Sequence, residues 1–343
     1  MDKQKYRKVV INLITVIILS ALVFLIFRKD YQAIWECICH VPALGVVLIL
    51  LVDLGYQLIG SVSRLMLVRT RLPEFKMKQA VGITFLGVFG SVSTFSAGII
   101  PMQSYYLYQC GVPAGSSVGM MILEYVFHKT TTFLYAAVMM FFYGTWVRET
   151  VPGLMKYIYI GFAVCALIIS VLILICTWEK MQKFVLAVIR KLPDTGKWKQ
   201  RKNKWQESLE SLYSESRNIL HNHGCCLKLI LLDTLKLSCL YTIPFLCIRM
   251  IGFSRVAFGE AMALSAVMIL LVGVLPSVAG IGPVEAAFML LFSAYIGRVP
   301  GSAALVLYRI ATYFFPFLIS IGVFFVIEKK ITATMGEKNG GTT

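Results

Sequence analysis

Eight ionisable residues lie inside long apolar runs of this chain: Asp53, Glu124, His128, Lys129, Asp233, Lys236, Glu285 and Arg309. Such side chains are costly in hydrocarbon and, where kept, face a bundle interior or a polar pathway. Asp233 and Lys236, spaced i, i+3, read as a local structural pair, and Glu124 and His128, spaced i, i+4, could satisfy each other. Lys129 is long enough to snorkel. Asp53 has no partner that the spacing identifies. Glu285 follows Pro283 by two residues, in the first turn of a short helix, where the helix dipole favours a carboxylate. Arg309 lies seven residues into the last run, too deep for an interfacial anchor. A buried pin between helices would use such a pair, and so would a charged lining for a lipid headgroup; the second is the favoured reading.

Soluble-enzyme chemistry finds no support. There is no Walker A sequence, glycine-rich dinucleotide loop, nucleophile elbow or HExxH. The segment His221-Asn222-His223-Gly224-Cys225-Cys226 has potential ligands without a zinc spacing. No cofactor and no metal are expected. Nine cysteines are scattered, several of them in apolar runs, and imply buried small hydrophobes rather than a disulfide framework.

The elements that hold these residues are transmembrane helices. Hydrophobic residues make up 58% of the 343 and charged ones 15%, against about half and a quarter in soluble domains. Runs of about 18 or more apolar residues read as spans, and six stand out: Val9–Phe27, Pro42–Ser61, Ser117–Tyr143, Tyr157–Thr177, Leu227–Arg249 and Ser302–Ile327. The basic N-terminus resembles the front of a signal peptide, but Arg28, Lys29 and Asp30 follow Phe27 where a small-residue cleavage site would stand, so an uncleaved first span is expected.

The formal charge of +16 does not point to nucleic acid, because the basic residues are sorted between spans. The N-terminal tail, the segment after the second span, the loop 178–226 and the C-terminal tail together hold 22 lysines and arginines, and the other linkers hold seven. That asymmetry places both termini and the large loop in the cytoplasm. Within the loop, Trp198, Trp205, Leu209 and Leu212 are spaced for a basic amphipathic helix on an anionic leaflet, or for a solvated linker helix.

Orientation forces residues 79–116 to enter the membrane and return to the same side, and residues 257–301 to do so from the other. Pro283 to Ile296 spans about 21 Å as a helix, short of a hydrocarbon core about 30 Å thick. Both regions therefore read as re-entrant hairpins. Their breaks are alike: Ala97-Gly98-Ile99-Ile100-Pro101-Met102-Gln103 and Ala279-Gly280-Ile281-Gly282-Pro283-Val284-Glu285. The expected architecture is an all-α polytopic membrane protein, about six full transmembrane helices plus two opposed re-entrant hairpins in an inverted repeat, the arrangement of many secondary transporters. Residues 1–330 would form one integral-membrane domain, followed by a disordered tail over 331–343.

The stretch VGVLPSVAGIGPVEAAFMLLF followed by LVLYRIATYFFPFLISIGV resembles the C-terminal signature of the lysylphosphatidylglycerol synthase transmembrane-domain family, the flippase-like membrane half of multiple peptide resistance factors. The family pattern of a Pro, a Gly-rich break, a Glu and then a Tyr-Arg falls on Pro276, Gly280, Gly282, Glu285, Tyr308 and Arg309. STFSAGIIPMQSYYLYQCGVP resembles the first-half motif at Gly98, Pro101 and Gln103, with Ile99 and Ile100 in place of the second glycine and its neighbour. Glu124 matches an acidic position of the next span, with Tyr125 where the family carries Arg, and Arg64 also fits. With Pro283 at the second break, these twelve residues form the expected lipid path.

The resemblance implies a bacterial inner-membrane protein that moves phosphatidylglycerol, especially its aminoacylated forms, from the inner to the outer leaflet. The cell surface would become less anionic and resist cationic antimicrobial peptides. Half-helix ends and Arg309 would engage phosphate, while Glu124 and Glu285 would meet an aminoacyl ammonium. Full-length relatives also carry an acetyltransferase-like domain that transfers lysine from tRNA to the lipid. The loop 178–226 is too small to fold as one, so that activity is not expected from this polypeptide alone. The alternatives are a phosphatidylglycerol lysyltransferase dependent on lysyl-tRNA, or its membrane component acting with a separately encoded synthase, and a transporter of polyprenyl phosphate or another lipid carrier. Membrane phospholipids are the expected partners, a homo-oligomer is compatible with the sequence, and nucleic acid is not expected.

Overall fold

A computed structural model of the chain describes residues 31–94, 98–191, 196–274 and 282–340. The expected first span lies outside them, as do Pro276 and Gly280. The described residues form helices α1 (Tyr31–Cys39), α2 (Ala43–Arg69), α3 (Met77–Ser93), α4 (Ile99–Gln109), α5 (Ala114–Thr150), α6 (Met155–Thr177), α7 (Glu179–Arg190), α8 (Gly196–Leu220), α9 (His223–Met250), α10 (Phe258–Val272), α11 (Pro283–Ile296), α12 (Arg298–Arg309) and α13 (Phe315–Gly340). One π turn, Ile310–Phe314, joins the last two.

Four helical stretches are long and apolar enough to cross a bilayer: Ala43–Arg69, Pro152–Thr177, His223–Met250 and the composite Arg298–Lys329. Helix α5, at 37 residues, is about 55 Å long and also exceeds the core thickness. Leu44, Phe141, Phe142, Leu167 and Leu318 are largely exposed, as expected where the surrounding solvent is lipid. The chain is a multi-pass membrane protein.

Prolines mark where spans begin. Pro42 and Pro113 precede α2 and α5 directly, where a missing N–H costs nothing and the fixed φ suits helix entry. Asn222 caps α9 by accepting from the Cys225 amide at 3.0 Å.

Between the spans lie two broken pairs. Helices α3 and α4 hold 17 and 11 residues, and α10 and α11 hold 15 and 14. At 1.5 Å per residue the return limbs reach about 17 and 21 Å, too short to cross. Both are therefore hairpins, and chain parity opens them from opposite faces. Contacts follow the same pattern in each half. Helix α2 packs on α9, α5 packs on the first limb of the second hairpin, and α13 packs on the first limb of the first. Both hairpins begin with the same cap, Gln79 accepting from the Lys76 amide and Glu260 from the Ala257 amide. Both return limbs end on a left-handed glycine, Gly111 and Gly297, where a side chain would be strained.

Apolar clusters among the described residues fill the bundle. One gathers Ile49, Val147, Ile248, Val267, Phe288 and Phe292, another Leu67, Phe75, Ile83, Leu107, Met121 and Leu229, and a smaller one Ala136, Leu237, Tyr241, Met262 and Leu270.

Helix α8 behaves differently from a helix lying on a leaflet. Its middle docks on the base of α5, where Gly115 and Gly119 face Ser211 and the Leu212 backbone, the small-xxx-small contact that lets backbones approach. Leu212 and Ile219 are buried, and Glu215, also buried, pairs with Arg71 at 3.0 Å. Trp205 stays largely exposed, while Phe184 and Val188 give α7 the outward apolar stripe.

Candidate functional site

A cavity of about 350 Å³ opens where α2, α9, α12, the π turn and both hairpins converge. That volume is within the usual range of small-ligand sites. Helix α2 supplies one wall from a single face: Asp53, Gln57, Gly60 and Arg64 all line it, and their spacing of four, three and four residues stacks them on one side of a helix. The absence of a side chain at Gly60 matters, because a β-carbon there would stand 3.3 Å from both Arg64 Nη1 and the Lys236 side chain. The two cations converge over that glycine.

Three cations, Arg64, Lys236 and Arg309, line the cavity. Each is held by a carboxylate outside the lining. Arg64 Nη2 lies 3.0 Å from Glu124 Oε1, and its Nη1 donates to Thr84 Oγ1 at 3.0 Å. Lys236 Nζ lies 2.5 Å from Asp233 Oδ1, and Asp233 Oδ2 is 3.8 Å from His128 Nδ1. Arg309 Nη2 lies 2.5 Å from Glu285 Oε1. Glu285 also accepts from the Gly282 amide at 2.6 Å, so a single carboxylate closes the start of α11 and orients the guanidinium. Gly282 takes a left-handed φ of 103°, a conformation glycine adopts without strain, and Pro283 begins the helix directly after it.

Aromatic faces complete the setting: Lys236 Nζ is 6.0 Å from the Tyr56 ring centroid and Arg309 is 5.3 Å from that of Tyr313, within cation–π range. Tyr308 and Thr312 add polar groups to the wall. The first hairpin contributes Gln103, whose amide packs over Gly87 and donates to the Ile83 carbonyl at 3.4 Å.

Of the residues expected in a lipid path, Arg64, Gln103, Tyr308 and Arg309 line the cavity, and Glu124 and Glu285 stand behind two of its cations. Gly98 and Pro101 form the start of α4, at the first tip. The pairing of Asp233 with Lys236 is as the spacing predicts. Glu124 and His128 do not pair with each other; each reaches a different helix, Arg64 on α2 and Asp233 on α9. The Lys129 ammonium lies against the last turn of α10 at Gly273, over the Tyr125 ring at 5.5 Å. There it meets the carbonyl end of a half-helix, which favours a cation.

Lys236, Gln57, Tyr56, Thr84 and Tyr313 were not expected at the site. The i, i+4, i+7, i+11 spacing from Asp53 to Arg64 was the signal that could have found its α2 wall.

Chemically, the cavity offers guanidinium and ammonium donors in a protein interior, the donor set suited to phosphate oxygens. Arg64 Nε is buried without a hydrogen-bond partner among the described residues.

The sequence matches the family described as "Lysylphosphatidylglycerol synthase TM region" over residues 12–320. The chain belongs to that family, with the membrane-lipid-related role the family implies. No curated protein matches it.

Proposed function

We propose that the chain moves phospholipids through their headgroup phosphate, phosphatidylglycerol and its aminoacylated forms, between the leaflets of a bacterial inner membrane. Arg64, Lys236 and Arg309 hold the phosphate, and the two hairpin tips alternate as gates around it. The observation that carries this reading is the cavity itself: three cations, each fixed by its own carboxylate, facing one space in the protein interior. Fixed donors cost little reorganisation when a phosphate arrives. Exposure of aminoacylated lipid on the outer leaflet then weakens attraction of cationic antimicrobial peptides.

The test is leaflet exchange in reconstituted vesicles, with labelled phosphatidylglycerol in one arm and polyprenyl phosphate in the other, because both present the same phosphate chemistry. The protein should accelerate exchange of phosphatidylglycerol. Arg309→Met should slow it by about ten- to a hundredfold, the worth of a charge-assisted hydrogen bond. Arg309→Met combined with Glu285→Gln should regain stability without regaining transport. Full transport by the double variant would sink the headgroup role. A faster polyprenyl-phosphate arm would move the assignment to a lipid carrier.

Both termini belong on the cytoplasmic side in this reading. Cysteines introduced at Gln79 and Ser116 should be labelled from that side alone, and those at Ala257 and Gly301 from the other alone. Labelling of either pair from opposite faces would contradict the topology.

A further inference from the structure

One carboxylate on the cavity wall is left over. Asp53 is 1% exposed, lines the cavity, and among the described residues neither of its oxygens has a partner of full hydrogen-bond geometry. Gln57, one turn along the same helix, brings a neutral amide near the carboxylate, and no cation of the described residues pairs with it. The cations that share the cavity are matched elsewhere: Arg64 to Glu124, Lys236 to Asp233 and Arg309 to Glu285. Arg64 is eleven residues further along α2, about 16 Å in axial rise.

The other half of the molecule shows what a merely structural aspartate does at this place. Asp53 and Asp233 each lie ten residues past the first residue of the helix that opens their half. Asp233 has Lys236 one turn on and His128 across the interface. Asp53 has Tyr56 where Asp233 has Lys236. A bare carboxylate, withdrawn from water, holds its charge at a cost that a partner would remove.

The titratable and charged groups around it are known from each packed element. Helix α2 itself gives Tyr56 and Arg64, α9 gives Asp233, Lys236 and Tyr241, α5 gives Glu124 and His128, α12 and the π turn give Tyr308, Arg309 and Tyr313, and Glu285 stands behind Arg309. Helix α3 lines the cavity with Thr84, Gly87, Val88, Ser91 and Val92, none of them titratable, and α13 adds Pro316.

An anionic headgroup entering this space places a second negative charge beside a carboxylate that no cation of the described residues pairs. Like charges sharing a desolvated site are not both kept ionised. We propose that Asp53 takes up one proton from the aqueous side when an anionic phosphate headgroup occupies the cavity, and releases it when the headgroup leaves. The step is a plain protonation: hydronium gives its proton to the carboxylate, water remains, and no electron moves. A lipid phosphate and a proton then cross together, and a pH difference between the two sides drives or opposes the exchange. This rests on the headgroup reading given above.

The experiment is calorimetric titration of the purified protein with short-chain dihexanoyl phosphatidylglycerol, at a series of pH values, in buffers that differ in ionisation enthalpy. The wild-type protein should take up close to one proton per lipid bound at pH values where free Asp53 is ionised. Asp53→Asn should take up none and bind the lipid more tightly. In vesicles, exchange by the wild type should respond to an imposed pH difference, and exchange by Asp53→Asn should not.

Wild-type binding without proton uptake overturns the proposal, as does equal uptake by Asp53→Asn; His128→Gln then tells whether the imidazole is the acceptor. Binding that requires sodium and moves no proton also overturns it. The two readings fail differently. If dihexanoyl phosphatidylglycerol does not bind, or binds equally to Arg64→Met and Arg309→Met, the headgroup site is wrong and the coupling falls with it. If those variants bind weakly but the wild type takes up no proton, only the coupling is wrong.

Discussion

The two hairpins share a plan and differ in what holds their tips. At the first tip the packing is tight and uncharged: a β-carbon on Gly90 would stand 2.6 Å from the Gly98 carbonyl oxygen, and Gln103 lies over Gly87. At the second tip the matching position carries Glu285, which ties the start of α11 to Arg309. Gln103 and Glu285 each follow their tip proline, Pro101 or Pro283, by two residues. One hairpin is closed by shape and the other by charge. An inverted repeat with identical chemistry in its halves would make a cavity with the same charge on both walls. Here the divergence concentrates titratable groups on α2, α9 and the second tip, and leaves the first tip a neutral wall.

The comparison can be broken most strongly at the second tip. Glu285→Gln or Arg309→Met alone strands a largely buried charge and should cost about 3–5 kcal/mol, with the double variant recovering most of it. Thermal unfolding in detergent measures this, and additive losses in the double variant would mean that the two residues do not act as a pair.

The two aspartates come next. Asp233→Asn should cost about 3 kcal/mol, because Lys236 and His128 lose their shared partner. Asp53→Asn should leave the melting temperature unchanged or raise it. Equal losses at the two positions would show that Asp53 is held by the fold after all.

At the first tip, Gly90→Ala should cost about 1–3 kcal/mol, since backbone must shift to admit the methyl group. A neutral result would mean that the hairpin is not closed by shape.

The smallest effect lies at the rim. Lys183 pairs with Glu179 at 2.6 Å and holds its carboxyl below the ordinary range, a shift that favours the folded state above the unfolded carboxyl pKa and fades as the pH falls through the folded one. Both groups are highly exposed, so Glu179→Gln should leave the melting temperature where it was at neutral and acid pH alike.

Much of this was legible without coordinates. Span length and the sorting of basic residues carry information about depth and side, and those two constraints were enough to find both hairpins by parity. The Glu285–Arg309 pair was legible because a carboxylate just past a helix-opening proline and a deep arginine each lacked a local explanation. Glu124 and His128 were misleading for a physical reason. Residues four apart on a helix share a face, yet both side chains here point off that face to separate helices, and sequence spacing holds no information about which helix stands opposite. The docking of α8 was hidden similarly. Its spacing fits a leaflet-bound helix or a solvated linker, and neither reading names a partner; the signal for that partner lay in Gly115 and Gly119, nearly a hundred residues earlier.

The π turn after Arg309 has a consequence of its own. Phe89 of α3 stacks on Phe324 at 4.3 Å and lies 6.3 Å from Phe317, both on α13. Arg309 points into the cavity on the near side of the turn, and Tyr313 and Thr312 do so from within it. A π turn takes one residue more than an α turn, so Ile310–Phe314 holds one residue in excess of a regular helix. Removing one residue there would relax the turn to an ordinary α-helix, keep the phenylalanines beyond it in phase with Phe89, and change which of Thr312 and Tyr313 reaches the wall. The wide turn thus works as a buffer, separating a chemical half of the helix from a packing half. For a lineage of such chains it makes this one segment a place where a residue is gained or lost at little cost to the fold, with the change felt in the cavity.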